Sequence, residues 1–220
     1  LFFLEVTLLV LLPPNDPRPR IENTAEMPTE LKVQFGEIND RNIETLRKLN
    51  EHVFPVHYSP KFYKEVLKAK FREYKLYAYY QGIIVGVICC RVEKSHDTDA
   101  AKDDNVLYIM IIGVLPAYRN RGIGKQMLRK ILDVASTDKH DNKCKKIYLH
   151  VQTSNEQAQN FYKQFGFSVE REIKDYYRDI EPPDCYILAK DLTQKTETEG
   201  ATEAAAESKK EEVPALPAAE

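Results

Sequence analysis

The chain has no excess of either charge, no cysteines at metal-ligand spacing and no apolar run long enough to cross a bilayer, and each lack removes a class of function. Its 32 basic residues against 34 acidic ones give no general pull toward nucleic acid or an anionic membrane, so a charged ligand has to be held by a local cluster. The four cysteines, two of them adjacent at Cys89 and Cys90, imply no metal. Neighbours in a strand point to opposite faces, which fits small buried thiols in a reducing compartment, the cytoplasm or the nucleus. Leu1 to Leu12 is apolar except for Glu5 and Thr7, but it is too short to span a membrane and no basic region precedes it. We read residues 1–30 as a non-native or disordered extension, with Met27 as a sensible start. From Thr193 onward Glu, Ala, Thr and Lys dominate, a composition that buries too little surface to offset the entropy of ordering, so 193–220 is expected to be a disordered tail. Residues 31–192 remain as one domain with a sizeable core.

Within that domain the hydrophobic periods alternate between strand and helix. Leu31 to Glu37 reads as a strand, and Ile43 to His52 as a helix with Asp40 as candidate cap. Phe54-Pro55-Val56 breaks the helix, and Ser59-Pro60 opens a second, with Ser59 placed to cap and Pro60 in the first turn. Lys75 to Tyr80 and Ile83 to Glu93, separated by Gln81-Gly82, predict a hairpin. After a charged loop, Ser95 to Asn105, an apolar run from Leu107 to Leu115 reads as a buried strand. A helix follows from about Gly122, then a strand from Lys146 to Val151. Ser154 and Gln157 form a candidate capping box for a fourth helix with Ala158, Phe161, Tyr162 and Phe165 on its inner face. Strands from Phe167 and from Cys185 to Lys190 complete a mixed α/β domain.

The most informative segment is Arg119-Asn120-Arg121-Gly122-Ile123-Gly124, the turn from the buried strand into the third helix. Free backbone N–H groups and the positive end of the helix dipole converge there, and glycines permit close approach of a phosphate. Taken alone, such a glycine pair is more often a plain strand-to-helix connection.

The pattern Arg-x-x-Gly-x-Gly, from Arg119 to Gly124, resembles the acyl-CoA-binding motif of the GNAT acetyltransferase superfamily. Phe54-Pro55-Val56, Leu107-Tyr108-Ile109-Met110, Ile147-Tyr148-Leu149-His150-Val151, the run Asn160 to Phe167, and Tyr176-Tyr177 followed by Ile180-Glu181-Pro182 are similar to its N-terminal protein acetyltransferases over roughly residues 31 to 192. The resemblance implies the GNAT fold: a mixed central sheet of about seven strands flanked by about four helices, with strands 4 and 5 splayed so that acetyl-CoA enters between them. It implies that acetyl-CoA is held by Ile112, Gly113 and Val114, whose N–H groups polarise the thioester oxygen. The turn residues Arg119, Asn120, Arg121, Gly122, Ile123, Gly124 and Lys125 would bind it too, as would Asn155 on the pantetheine arm, Tyr162 beside the sulfur, and Lys163. Phe54, Pro55, Val56, Tyr58, Met110, Tyr176, Tyr177 and Ile180 would enclose the first residues of a peptide beginning Met-apolar. The implied partners are protein N-termini, nascent or mature, and the auxiliary and catalytic subunits of the major co-translational acetyltransferase.

Acetyl transfer needs a neutral amine. A protein α-amine titrates near about 7.7–8.0, against about 10.4 for lysine, so a modest base suffices. His150 fits that role, directly or through water, with Tyr108 orienting or relaying. Period-two alternation puts Tyr108, Met110 and Ile112 on one face, and Tyr148, His150 and Gln152 on one face of the next strand. The expected activity is N-terminal acetylation with lysine acetylation as a secondary reaction. A largely non-catalytic CoA-binding subunit is the alternative.

Overall fold

The computed structural model describes residues 30–54, 57–68, 70–95, 104–137, 144–178 and 181–193. Residues 1–29 of the N-terminal extension, 194–220 of the C-terminal tail, 96–103 of the charged loop and 138–143 before the fifth strand lie outside the described residues. Strands β1 (Gln34–Glu37), β2 (Lys75–Tyr80), β3 (Ile83–Lys94), β4 (Asn105–Val114), β5 (Cys144–Gln152), β6 (Ser168–Ile173) and β7 (Cys185–Asp191) alternate with helices α1 (Ile43–Val53), α2 (Pro60–Val66), α3 (Ile123–Thr137) and α4 (Glu156–Lys163). The strands form one sheet in the order β1-β2-β3-β4-β5-β7-β6. Every neighbouring pair is antiparallel except β4 with β5, which run parallel. The expected mixed sheet and four helices are present among the described residues, and none of those helices is long and apolar enough to cross a membrane.

Local chemistry explains most boundaries. Gln81 (φ 48°) and Gly82 (φ 79°) both adopt left-handed backbone, the geometry that a two-residue hairpin requires to match strand twist. Ser59 precedes Pro60 at the start of α2 as expected, yet it satisfies no N–H through its side chain. Two caps differ from expectation. Asn42, not Asp40, holds the cap position of α1, where its Oδ1 accepts from Asn39 N–H and its Nδ2 donates to the Glu37 carbonyl. The Ser154–Gln157 box does not form, because α4 starts one residue later with Asn155 at its cap, accepting from Ala158 N–H at 3.0 Å. Asn and Ser cap about equally well, and here the asparagine oxygen reaches the third helical N–H.

The sheet separates two cores. On one face Leu107, Ile109 and Ile112 pack with Ile123, Met127, Leu128 and Ile131 of α3 and Tyr162 of α4. On the other, Leu46, Leu49, Val53 and Phe54 meet Tyr77, Val87, Cys89 and Ile111. The second core corrects the expected alternation in β4. Across β3, Cys89 pairs with Ile111 and Cys90 with Ile109, so Met110 is an extra residue. Such a bulge inverts the facing of the residues after it. Ile111 turns toward the α1–α2 face, while Ile112, expected beside Tyr108, turns toward α3.

Candidate active site

β4 and β5 pair through only four positions, Asn105 with Cys144, Val106 with Lys146, Leu107 with Ile147 and Tyr108 with Tyr148. Beyond Tyr108 the strands part, while β4 stays paired to β3 as far as Val114 and β5 to β7 as far as Gln152. The parting opens the sheet where the family resemblance places the acyl group, and it sets the β4 backbone around Ile112, Gly113 and Val114 on one side of the opening.

At its apex Tyr108 and His150 meet. The Tyr108 hydroxyl lies 3.3 Å from His150 Nδ1, and the two rings are edge to face at 5.6 Å. His150 is stacked on Tyr176 at 4.6 Å with planes 11° apart, so the β6–β7 loop reaches the candidate base directly. Burial, and next the charge of Arg171, lower the His150 pKa from 6.5 to about 4, against an opposing pull from Glu93. The imidazole is therefore neutral at physiological pH and able to accept a proton.

Two residues absent from the sequence-derived set complete this cluster. The Arg91 guanidinium stands 5.3 Å from the centre of the Tyr108 ring and is paired with Glu93 at 2.6 Å. Glu93 in turn accepts a hydrogen bond from the Tyr148 hydroxyl. The signal for them was an Arg-x-Glu alternation at the end of the apolar strand β3, which puts both charges on one face.

The peptide-facing candidates divide. Tyr176 and Tyr177 pack edge to face at 5.0 Å. Tyr177 is buried and burial raises its pKa. Tyr58 bridges Phe54, at 5.7 Å, and Phe62, at 4.5 Å. Phe54 is itself a core residue, 4% exposed, seated over Gly113, where any Cβ would come within 2.7 Å of its ring. Met110 is buried at the bulge. Pro55, Val56 and Ile180 lie outside the described residues.

The turn into α3 keeps the features a phosphate needs. Asn120 (φ 58°) and Gly122 (φ 73°) are left-handed, and α3 follows immediately. A Cβ on Gly124 would meet only Phe161, at an ordinary 3.6 Å, so packing alone does not demand a glycine there. Ile123 points into the core and Lys125 is exposed. Arg119 folds back to donate from Nε to the Val114 carbonyl at 3.0 Å, bracing the turn. The chain entering β1 is tied on as well. Leu31 N–H donates to the Arg121 carbonyl, Gln126 Nε2 donates to the Leu31 carbonyl, and Gln126 Oε1 accepts from Val33 N–H. The Glu30 side chain rests against Gly122.

On α4, Tyr162 is wholly buried and its hydroxyl has no hydrogen-bond partner among the described residues. Burial pushes its pKa up. An orphaned buried hydroxyl is costly and marks a place where a ligand completes the bonding. Asn155 uses its Oδ1 to cap α4, so its expected contact with a pantetheine arm would fall to its other atoms. Lys163, on the last turn of α4, is exposed.

A family model described as the acetyltransferase (GNAT) family matches residues 43–167. The chain is 43% identical to N-alpha-acetyltransferase 50 of Danio rerio over 162 residues, covering 73% of this chain and 89% of that protein. It is 41% identical to the probable N-acetyltransferase san of Drosophila melanogaster over 164 residues, 74% of this chain and 83% of that one. Among solved structures, Arabidopsis thaliana Naa50 in complex with the bisubstrate analogue CoA-Ac-MVNAL matches with a TM-score of 0.63 at 43% identity, covering 72% of this chain and 97% of that chain. With the parted β4 and β5, the glycine turn into α3 and these matches together, the chain belongs to the GNAT acetyltransferase family.

Proposed function

We propose that this protein is an N-terminal acetyltransferase that uses acetyl-CoA to acetylate the α-amine of chains beginning Met-apolar. The single observation that carries the reading is the Tyr108–His150 contact at the apex of the opening. The residues present fit acetyl-CoA: the left-handed Gly122 and the start of α3 can take the diphosphate, and the buried, unpartnered Tyr162 hydroxyl can take the sulfur. The bisubstrate analogue bound to the 43% identical Arabidopsis relative, which joins CoA to a Met-Val peptide, supports the same substrates here.

Acetyl-CoA, when bound, supplies an activated carbonyl and a thiolate leaving group. The protein's own part begins with neutral His150, which takes the amine's proton directly or through water while Tyr108 fixes the ring by its hydrogen bond. β4 backbone N–H groups around Ile112 to Val114 would polarise the carbonyl oxygen, and Tyr162 would protonate or hydrogen-bond the departing sulfur. Alignment of two bound reactants accounts for much of the remaining acceleration, since effective molarities on the order of 10⁵ M are available. The aromatic wall of Tyr58, Tyr176 and Tyr177 suits a thin chain terminus better than a lysine on a folded surface, so lysine acetylation is the lesser reaction.

Acetylation of a Met-Leu peptide, compared with an internal-lysine peptide of matched length, tests this. A chain that modifies the lysine and ignores the α-amine sinks the reading. The assembled base pair is something a purely structural CoA-binding subunit would not need. The four free, buried cysteines suit the cytoplasm or nucleus. Association with the auxiliary and catalytic subunits of the major co-translational complex follows from the family likeness, and affinity capture from ribosome fractions checks it.

A further inference from the structure

Acetylation of an ammonium leaves one proton over. The nitrogen gives up two protons as the C–N bond forms, the C–S bond breaks, and the departing sulfur takes one back. The second has to reach solvent from a base that is partly buried, with Tyr176 over one ring face and Tyr108 on Nδ1.

A cavity of about 130 Å³ borders His150, with Tyr148, Val106, Lys146, Glu170 and Arg171 among its walls. That is room for several waters, and the wall is mixed, with Val106 and Ile187 beside polar groups of Lys146, Glu170, Arg171 and His150 that can hold them. Lys146 and Glu170 form an ion pair at 2.8 Å, and their side chains are 23% and 37% exposed, so the pair reaches solvent. Tyr148 is fixed by its hydrogen bond to Glu93. Resting on the acetyltransferase reading above, we propose that this cavity is the proton exit: the surplus proton passes from the Tyr108–His150 pair to cavity water and out past the Lys146–Glu170 pair.

The charges around His150 suit a relay rather than a store. Arg171 on β6 disfavours the imidazolium and Glu93 on β3 favours it. Arg91 is engaged by Glu93, and Lys146 and Glu170 offset each other. With burial added, the ring gives up a proton readily, and conducting water beside it is what such a base requires. Of these wall residues only His150 takes part in the chemical step.

The test is to fill the cavity. Val106→Phe obstructs it from β4 and Ser95→Phe from the rim, where Ser95 also lines it. The second tolerates a large side chain if the first does not fold. Heat protection by CoA identifies folded, ligand-competent protein. The expected result is a fall of roughly tenfold in kcat on a Met-Leu peptide, less than the roughly 10²–10⁴-fold that a general base contributes because the base itself is retained, together with a larger solvent deuterium isotope effect and unchanged KM for acetyl-CoA. Unchanged kcat and isotope effect in a folded, filled variant would overturn the proposal. So would a loss confined to KM for longer peptides, which would make the cavity part of the peptide groove. Wild-type protein inactive on the peptide would sink the functional reading and this one with it, whereas failure in the variants alone leaves the functional reading standing.

Discussion

Tyr108 is paired across the sheet with Tyr148, yet its hydroxyl contacts His150, one pleat further along β5. The histidine leans back over the point where the strands part, so the proton acceptor and its hydrogen-bonding partner share the apex of the opening.

Tyr108→Phe and His150→Ala should each lower turnover on a Met-Leu peptide by on the order of 10²-fold, the scale of positioned acid–base groups. Because the two share one hydrogen bond, the double variant should lose less than the product of the singles. Steady-state kinetics with CoA-dependent heat protection as the folding control decides this. Full additivity would mean that the residues act apart.

The pH profile should belong to the substrate. With the His150 pKa lowered to about 4, kcat/KM for an α-amine should climb through the amine's own range near about 7.7–8.0 and show no inflection near 6.5. The stability consequence has a fixed sign. Between about 6.5 and about 4 the unfolded chain binds a proton at this residue that the folded chain refuses, so stability falls as pH drops through that window and is unaffected above it. Denaturant titrations across the window, compared with His150→Gln, isolate the component.

Tyr162→Phe should move stability and activity in opposite directions. Removing a buried hydroxyl that lacks a partner in the free protein should raise stability by about 1 kcal/mol, while turnover falls because the sulfur loses its proton donor. A variant less stable than the parent would show that the hydroxyl is already satisfied without ligand.

Two glycines should part company. Gly113→Ala would drive a methyl to within 2.7 Å of the Phe54 ring and 2.8 Å of Val53 Cγ1, costing about 1–3 kcal/mol by overpacking. Gly124→Ala meets only ordinary contact, so the fold should hold while KM for acetyl-CoA rises. Thermal unfolding in parallel with acetyl-CoA kinetics separates the two. A collapse of Gly124→Ala would show that this glycine serves packing rather than ligand approach.

What the sequence revealed depended on how local the determinant was. The hairpin was legible because Gln81-Gly82 carries its geometry in two residues, and α3 was legible from its apolar stripe. The α4 boundary was blurred by two adjacent cap formers, Ser154 and Asn155. The bulge at Met110 lies in a continuous apolar run with no glycine to mark it, so the facing of Ile111 and Ile112 could not be read. At the site, alternation put Tyr148 and His150 on one face, but only the register of β4 against β5 brings Tyr108 to the histidine. Arg91 and Glu93 were legible only as two charges on one face of a strand, because their role depends on the pairing that brings Tyr108 and Tyr148 beside them.

The short parallel pairing of β4 with β5 has a mechanical side. Four residue pairs join two otherwise continuous plates, β1 to β4 on one hand and β5, β7 and β6 on the other. The notch between them is thus bounded by stiff walls that meet at a single narrow joint. Whatever seats itself in the notch acts as a wedge against both plates at once, and small changes of angle at Asn105 to Tyr108 are magnified at the rim, where Val114 and Gln152 end the two walls.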